Sequence, residues 1–218
     1  MRVMARIAAE DVAPQRWRNG GGWTRELLVW PAPPAAWQLR ISLATIDAAG
    51  PFSVFPGVQR ALALVSGAGL LLTVDGTAQR LHAGSEPVFF DGTAAVAAEP
   101  LAGPSIDLNL MTAAGRGEML PIASASRWTS PCPQRGLFSA VAGTLESGDE
   151  SLALALAPGS FLWMDGAAGL PLRFVPAAPA ASATAPTGAA GAAAPAPLAA
   201  WWLGYAPALR IASAGPSR

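Results

Sequence analysis

Residues 17–26 read WRNGGGWTRE, three consecutive glycines set among tryptophans, arginines and a carboxylate. So much backbone freedom beside charge suits a phosphate cradle, an active-site turn or a tight corner. The cradle fails on residue type. A P-loop needs Gly-Lys-Ser/Thr, and the chain contains no lysine. A dinucleotide fingerprint opens a helix, whereas the residues from Thr24 to Trp30 read as a strand. Nucleophile and metal chemistry is just as poorly provided. His82 is the only histidine and stands in a turn, Leu81-His82-Ala83-Gly84-Ser85, where an exposed surface residue is expected. Cys132 is the only cysteine, in the rigid polar loop Ser130-Pro131-Cys132-Pro133. A metal held by two or three imidazoles is out of reach, and a Ser-His-Asp or Cys-His arrangement would have to run through His82 with no G-x-S-x-G elbow to support it. No catalytic residue, metal ligand or cofactor is assigned. What remains are carboxylates and arginines.

The elements that must position them are short strands. Trp37, Leu39, Ile41 and Leu43 alternate with Gln38, Arg40 and Ser42, and Ser105–Met111 alternates again with Asp107 and Asn109 on the polar face. Residues 61–65 and 69–74 flank Ser66-Gly67-Ala68 and read as a hairpin; Asp75-Gly76 and Asp91-Gly92 give further turns. No amphipathic helix of convincing length occurs. Many short strands with regular turn signals predict an all-β sandwich or barrel. Two landmarks recur in order: Gly50–Gly57 (GPFSVFPG) with Gly136–Gly143 (GLFSAVAG), and Gly84–Gly92 with Gly159–Gly166, which suggests two related β units. Residues 176–200 are an Ala/Pro-rich tract, expected as a mobile surface loop inserted before a final strand at Trp201-Trp202-Leu203-Gly204-Tyr205.

Composition narrows the class. The chain has 218 residues, 52% hydrophobic and 13% charged, with a formal net charge of zero. All 14 basic residues are arginines, scattered rather than clustered, which argues against nucleic acid as a partner. Glu10 and Asp11 interrupt any secretion-signal run, and no apolar stretch outside the Ala/Pro tract approaches a membrane span. A soluble, cytoplasmic protein is expected. Its Trp-rich, charge-poor composition permits a homodimer interface.

Five stretches, in order, resemble the HutD/Ves family: Trp17–Gly22 with Thr24-Arg25-Glu26; Arg40–Ile46; Gly50–Gly57 with Arg60; Phe90-Asp91-Gly92; and Asp107–Met111. The likeness is strong over roughly residues 5–120 and weak beyond. It implies a cupin-like bicupin, a pair of small antiparallel β-barrels with few or no long helices. The first would span 1–115, and a second, degenerate one 116–218. It also implies an accessory or regulatory role in bacterial histidine utilisation rather than a step of the pathway. Cupins often hold a metal through histidines, which this chain lacks.

Read from alternation alone, the polar faces of 37–43 and 106–110 either meet solvent or line a lumen. The resemblance favours the lumen. Arg40 and Arg60 are then the groups to grip a carboxylate bidentately, with Ser42, Asp107 and Asn109 orienting the ligand. A buried Arg40–Asp107 ion pair is the structural alternative. The triple glycine becomes a strand-opening corner that shapes the rim, adding Asn19, Gly21, Thr24 and Glu26 to the candidate ligand set. Phe52 and Phe55 cover that rim or fill core. The leading expectation is a non-enzymatic binder of a small anionic metabolite that moderates histidine catabolism, of the urocanate or formyl- or formimino-glutamate type. A metal-independent enzyme using Glu26 or Asp107 as acid or base is a second reading, and an interaction module with a filled barrel is a third.

Overall fold

The alternation read over residues 37–43 takes effect from Leu39. Leu39, Ile41 and Leu43 are buried on one face of a strand, and Arg40 and Ser42 project from the other. The structure, a computed structural model, describes residues 1–123, 125–149, 152–177 and 199–208. The residues 178–198 of the Ala/Pro tract lie outside the described set. The chain runs through β1 (Arg2–Ala8), β2 (Gln15–Arg16), β3 (Gly22–Trp30), β4 (Leu39–Ile46), β5 (Gly50–Pro51), β6 (Gln59–Ser66), β7 (Leu70–Val74), β8 (Thr77–Leu81), β9 (Val88–Asp91), β10 (Val96–Pro100) and β11 (Ser105–Thr112). It continues with β12 (Arg116–Pro121), β13 (Arg127–Trp128), β14 (Gln134–Ser139), β15 (Gly143–Ser147), β16 (Ala153–Leu156), β17 (Ser160–Asp165), β18 (Leu172–Pro176) and β19 (Ala200–Ala206). Among the described residues the helical content is a single 3-10 turn at Ala9–Asp11, and no helix is long and apolar enough to cross a membrane.

All strand pairings are antiparallel, and they form two barrels of matching topology. A six-stranded sheet, β2-β3-β4-β11-β6-β9, faces a four-stranded one, β5-β10-β7-β8. In the second half, β1-β17-β14-β19-β12 faces β13-β18-β15-β16. Thus β4-β11-β6-β9 corresponds to β12-β19-β14-β17, and the small sheets correspond strand for strand. The fold is all-β and cupin-like, as expected.

That correspondence corrects the sequence landmarks. Gly84 and Gly159 do match, each in the turn before β9 or β17. Gly50–Gly57 and Gly136–Gly143 do not: the former holds β5 and the loop into β6, the latter β14 and the turn after it. The true partner of β14 is β6. Gln59-Arg60-Ala61-Leu62 and Gln134-Arg135-Gly136-Leu137 lie 75 positions apart, the same offset as Gly84 and Gly159.

Two further expectations change. β6 and β7 are not a hairpin, because β6 pairs with β11 and β9 while β7 pairs with β10 and β8. Gly67 and Gly69, at φ 116 and 143, carry the chain from one sheet to the other. The real hairpin is β7–β8, turned by Asp75 and Gly76 with φ 47 and 82, the left-handed pair of a type I′ turn. Nor does a cut at 115 separate the halves cleanly: β1 pairs with β17 and belongs to the second sheet.

Three cores result. Leu62, Leu64, Leu70, Leu72 and Val96 fill the closed end of the first barrel, and Leu137, Leu162, Phe174 and Trp202 fill the second. Between the large sheets, Leu39, Ile41, Ala63 and Leu108 pack against Phe138, Phe161, Trp163 and Trp201 in a shared core. Tyr205 crosses this seam, its hydroxyl donating to the Ala114 carbonyl at 2.7 Å and its ring meeting Trp30 edge-on at 5.6 Å.

Candidate functional site

Because the apolar faces of β4, β6 and β11 are used at the seam, their alternate residues point into the first barrel. In register these are Arg40 opposite Met111, Ser42 opposite Asn109, and Arg60 opposite Met111 from the other side. They converge on a cavity of ≈ 710 Å³, with Trp17, Phe52 and Phe55 in its lining. The volume falls in the range of sites that enclose a whole small ligand. Among the described residues four arginines line the cavity (Arg16, Arg18, Arg40 and Arg60), and no Asp or Glu does.

Arg60 is the most deeply held of the four, 7% exposed. Phe90, Phe52 and Phe55 surround its guanidinium at 4.9, 5.0 and 5.8 Å from their ring centroids. Such rings attract a cation but cannot replace the hydrogen bonds of water. Its Nη2 donates to Asn109 Oδ1 at 2.8 Å, while its buried Nε has no partner. Asn109 in turn donates from Nδ2 to Asp107, which is fully buried behind it with Oδ2 unpartnered. Burial pushes the Asp107 carboxyl up to about 7, against the pull of Arg60. Burial likewise lowers Arg60 to about 10, with Asp107 opposing and Arg40 adding to the effect. The cation is thus short of both solvent and counter-charge, the condition in which an incoming anion binds well.

Arg40 is only half committed. Its Nε lies 2.8 Å from Glu26 Oε2, an ion pair whose N–H is not aligned for a hydrogen bond. The expected Arg40–Asp107 pair does not form; Asp107 lies nearer Arg60, and Glu26 takes its place. Arg25 points to the opposite face and donates to the Val12 and Glu10 carbonyls.

The triple glycine resolves into separate tasks. Gly20 turns the chain at φ 74. Gly22 allows close approach, since a Cβ there would stand 2.2 Å from the Thr45 carbonyl and 3.1 Å from the Trp17 ring. Trp17 is thereby seated at the rim, its indole N–H donating to Thr24 Oγ1 at 2.7 Å and its ring meeting Phe52 edge-on at 6.2 Å. The opposite rim depends on Gly92, where a Cβ would fall 2.2 Å from the Phe55 carbonyl. Backbone hydrogen bonds from Phe55 to Gly92 (2.7 Å) and from Gly92 to Val58 (2.6 Å) pin the loop that carries Phe52 and Phe55.

Of the sequence-derived set, Arg40, Ser42, Arg60, Asn109, Asn19 and Thr24 line the cavity. Gly21, Glu26 and Asp107 do not. Gly21 spends its N–H on Asn19 Oδ1 and its carbonyl on Asp47, Glu26 is turned to Arg40, and Asp107 is shielded by Asn109. Sequence reasoning missed Trp17, Arg16, Arg18 and Met111 as lining residues. The first three belong to the same glycine turn, and Met111 follows Asn109 by the strand period of two. His82 is exposed in its turn, as expected, and Cys132 lies in the loop between β13 and β14, where it is buried against Gly204.

At the matching place in the second barrel, Arg135 is fully buried, stacks on Trp128 at 5.3 Å and donates to the Leu170 carbonyl. Register puts Glu118 where the first barrel has Arg40, and Trp202 where it has Asn109.

The HutD family model matches residues 9–181. Protein Ves of Citrobacter koseri is 31% identical over 151 residues, 69% of this chain and 78% of that protein. An uncharacterized 21.2 kDa protein in the hutC 3′ region of Pseudomonas putida is 33% identical over 111 residues, 50% of this chain and 58% of that protein. HutD from Pseudomonas fluorescens SBW25 superposes with a TM-score of 0.73 over 94% of this chain and 98% of its own, at 24% identity, a likeness of fold.

Proposed function

The chain belongs to the HutD family, and from that premise we propose that it is a cytoplasmic binding protein that takes an anionic intermediate of histidine breakdown into its first barrel and thereby moderates the pathway. The observation that carries this reading is the cavity lining, which among the described residues holds four arginines and no carboxylate. The deepest of them, Arg60, is desolvated and incompletely paired, so a ligand carboxylate supplies the acceptor that Asn109 supplies only in part. Urocanate and formyl- or formimino-glutamate have the required charge. The link to histidine utilisation rests on the family and on the relative in the hutC 3′ region.

An enzyme in this cavity would need a proton-transfer group at the ligand. Glu26 is held by Arg40, and Asp107 stands behind Asn109, which favours binding over turnover. The filled-barrel interaction module fits the second half better than the first, and exposed Phe89 and Leu120 offer it, or a second copy of the chain, an apolar contact.

Calorimetric titration with urocanate, N-formyl-L-glutamate and N-formimino-L-glutamate tests the proposal. Saturable binding of at least one is expected, weakened about 30-fold or more in a folded Arg60→Ala variant, since losing a buried charged partner costs roughly 2–5 kcal/mol. No heat with any acid refutes the reading. Consumption of the acid on incubation replaces it with the enzymatic one.

A further inference from the structure

We infer that the cavity is built for a compound with two separated carboxylates, one received by Arg60 and Arg40 at its floor and the other by Arg18 at its rim. This rests on the carboxylate-binding reading above and narrows it to a class of ligand. The four arginines are not equivalent. Arg16 is already neutralised: its Nη1 lies 2.9 Å from Asp47 Oδ2, its Nη2 donates to the Gly20 carbonyl, and its guanidinium stacks on Trp23 at 4.6 Å. Arg40 gives its Nε side to Glu26. Unspent cationic character therefore remains in two places. One is the floor, where Arg60 is 7% exposed and its Nε unpartnered, with Arg40 also in the cavity lining. The other is Arg18, which lines the cavity, is exposed, and makes no ion pair or hydrogen bond to any described residue.

Most of the remaining lining is apolar and forms a belt around the cavity. Trp17 is locked by its bond to Thr24, and Phe52 packs edge-on against it. A carbon chain suits that belt; a charge does not. A single small carboxylate at Arg60 would occupy little of a ≈ 710 Å³ cavity and leave Arg18 without a role. A chain with an acid at each end uses the floor, the belt and the rim together. A planar monoacid satisfies only the floor.

The test compares α,ω-diacids from glutarate to pimelate with the monoacids of equal carbon count, valerate to heptanoate. Calorimetry is run on wild type, Arg18→Gln and Arg60→Ala, each checked for folding by circular dichroism. At least one diacid is expected to bind wild type about tenfold more tightly than its monoacid, as one added charge-assisted contact provides. Arg18→Gln should abolish that advantage, whereas Arg60→Ala should weaken diacid and monoacid alike. The inference is overturned if no diacid exceeds its monoacid, or if the advantage survives Arg18→Gln, even when monoacid binding is still lost in Arg60→Ala. Failure of every acid to bind wild type overturns the carboxylate reading as well.

Discussion

In the first barrel Arg60 sits among Phe52, Phe55 and Phe90 and looks into an open cavity; in the second, Arg135 lies on Trp128, which stacks on Trp202 at 5.0 Å, and the interior is packed. Both arginines hold the second position of corresponding strands, β6 and β14. The neighbours make the difference. Arg40, Ser42, Asn109 and Asp107 are replaced in register by Glu118, Leu120, Trp202 and Ala200. One set surrounds an arginine with donors and a shielded acid; the other gives it an acidic neighbour and fills the space with indole. Both arginines leave buried nitrogens unpartnered, Nε in Arg60 and Nε and Nη1 in Arg135, so adjoining open space rather than missing partners sets the proposed binding arginine apart.

Removing the fill should hurt the second barrel most. Trp202→Ala is expected to lower stability by roughly 3–5 kcal/mol in denaturant unfolding, the cost of a large core truncation. A loss below about 1 kcal/mol would mean that the second barrel is not packed as described. Exchanging each arginine for methionine comes next. Arg60→Met should weaken carboxylate binding by about 100-fold, and Arg135→Met should leave it unchanged within about twofold. Equal losses would show that the second barrel takes part in binding. The smallest effect concerns pH. The Asp107 carboxyl is raised from 3.8 to about 7 by burial, so the folded chain holds a proton that the unfolded chain releases. Stability relative to Asp107→Asn should therefore fall as pH rises from about 4 to about 7 and level off above. Anion affinity should decline over the upper part of that window, because ionised Asp107 competes for Arg60; Asp107→Asn should flatten both profiles.

Much of this was legible in the sequence. β4 and β11 each bury one face in the seam and turn the other inward, so period-two alternation identified Arg40, Ser42 and Asn109. β6 was opaque for a physical reason: Ala61 to Val65 are buried on both faces, and an unbroken apolar run does not say which side is which. Its turn also misled, since a short glycine-rich link serves a hairpin and a crossing between sheets equally well. The repeat was displaced because Gly, Ala and Phe recur by composition, whereas the informative pair was Gln-Arg. Depth is a property of layers rather than of parity, so Asp107 and Glu26 had the right face and the wrong reach. Arg18 had no alternation to reveal it, lying in a turn.

The seam between the barrels has a thermodynamic consequence. Leu39, Ile41 and Leu108 cannot leave Phe161, Trp163 and Trp201 without exposing both halves, and β1 ties the start of the described chain to β17. The halves should therefore melt as one cooperative unit. A carboxylate that touches only the first barrel would then raise the melting temperature of the second as well. At a free concentration 100 times its dissociation constant it adds about 2.7 kcal/mol to the whole. Tryptophans of the distant barrel, which never meet the ligand, could serve as reporters of its presence.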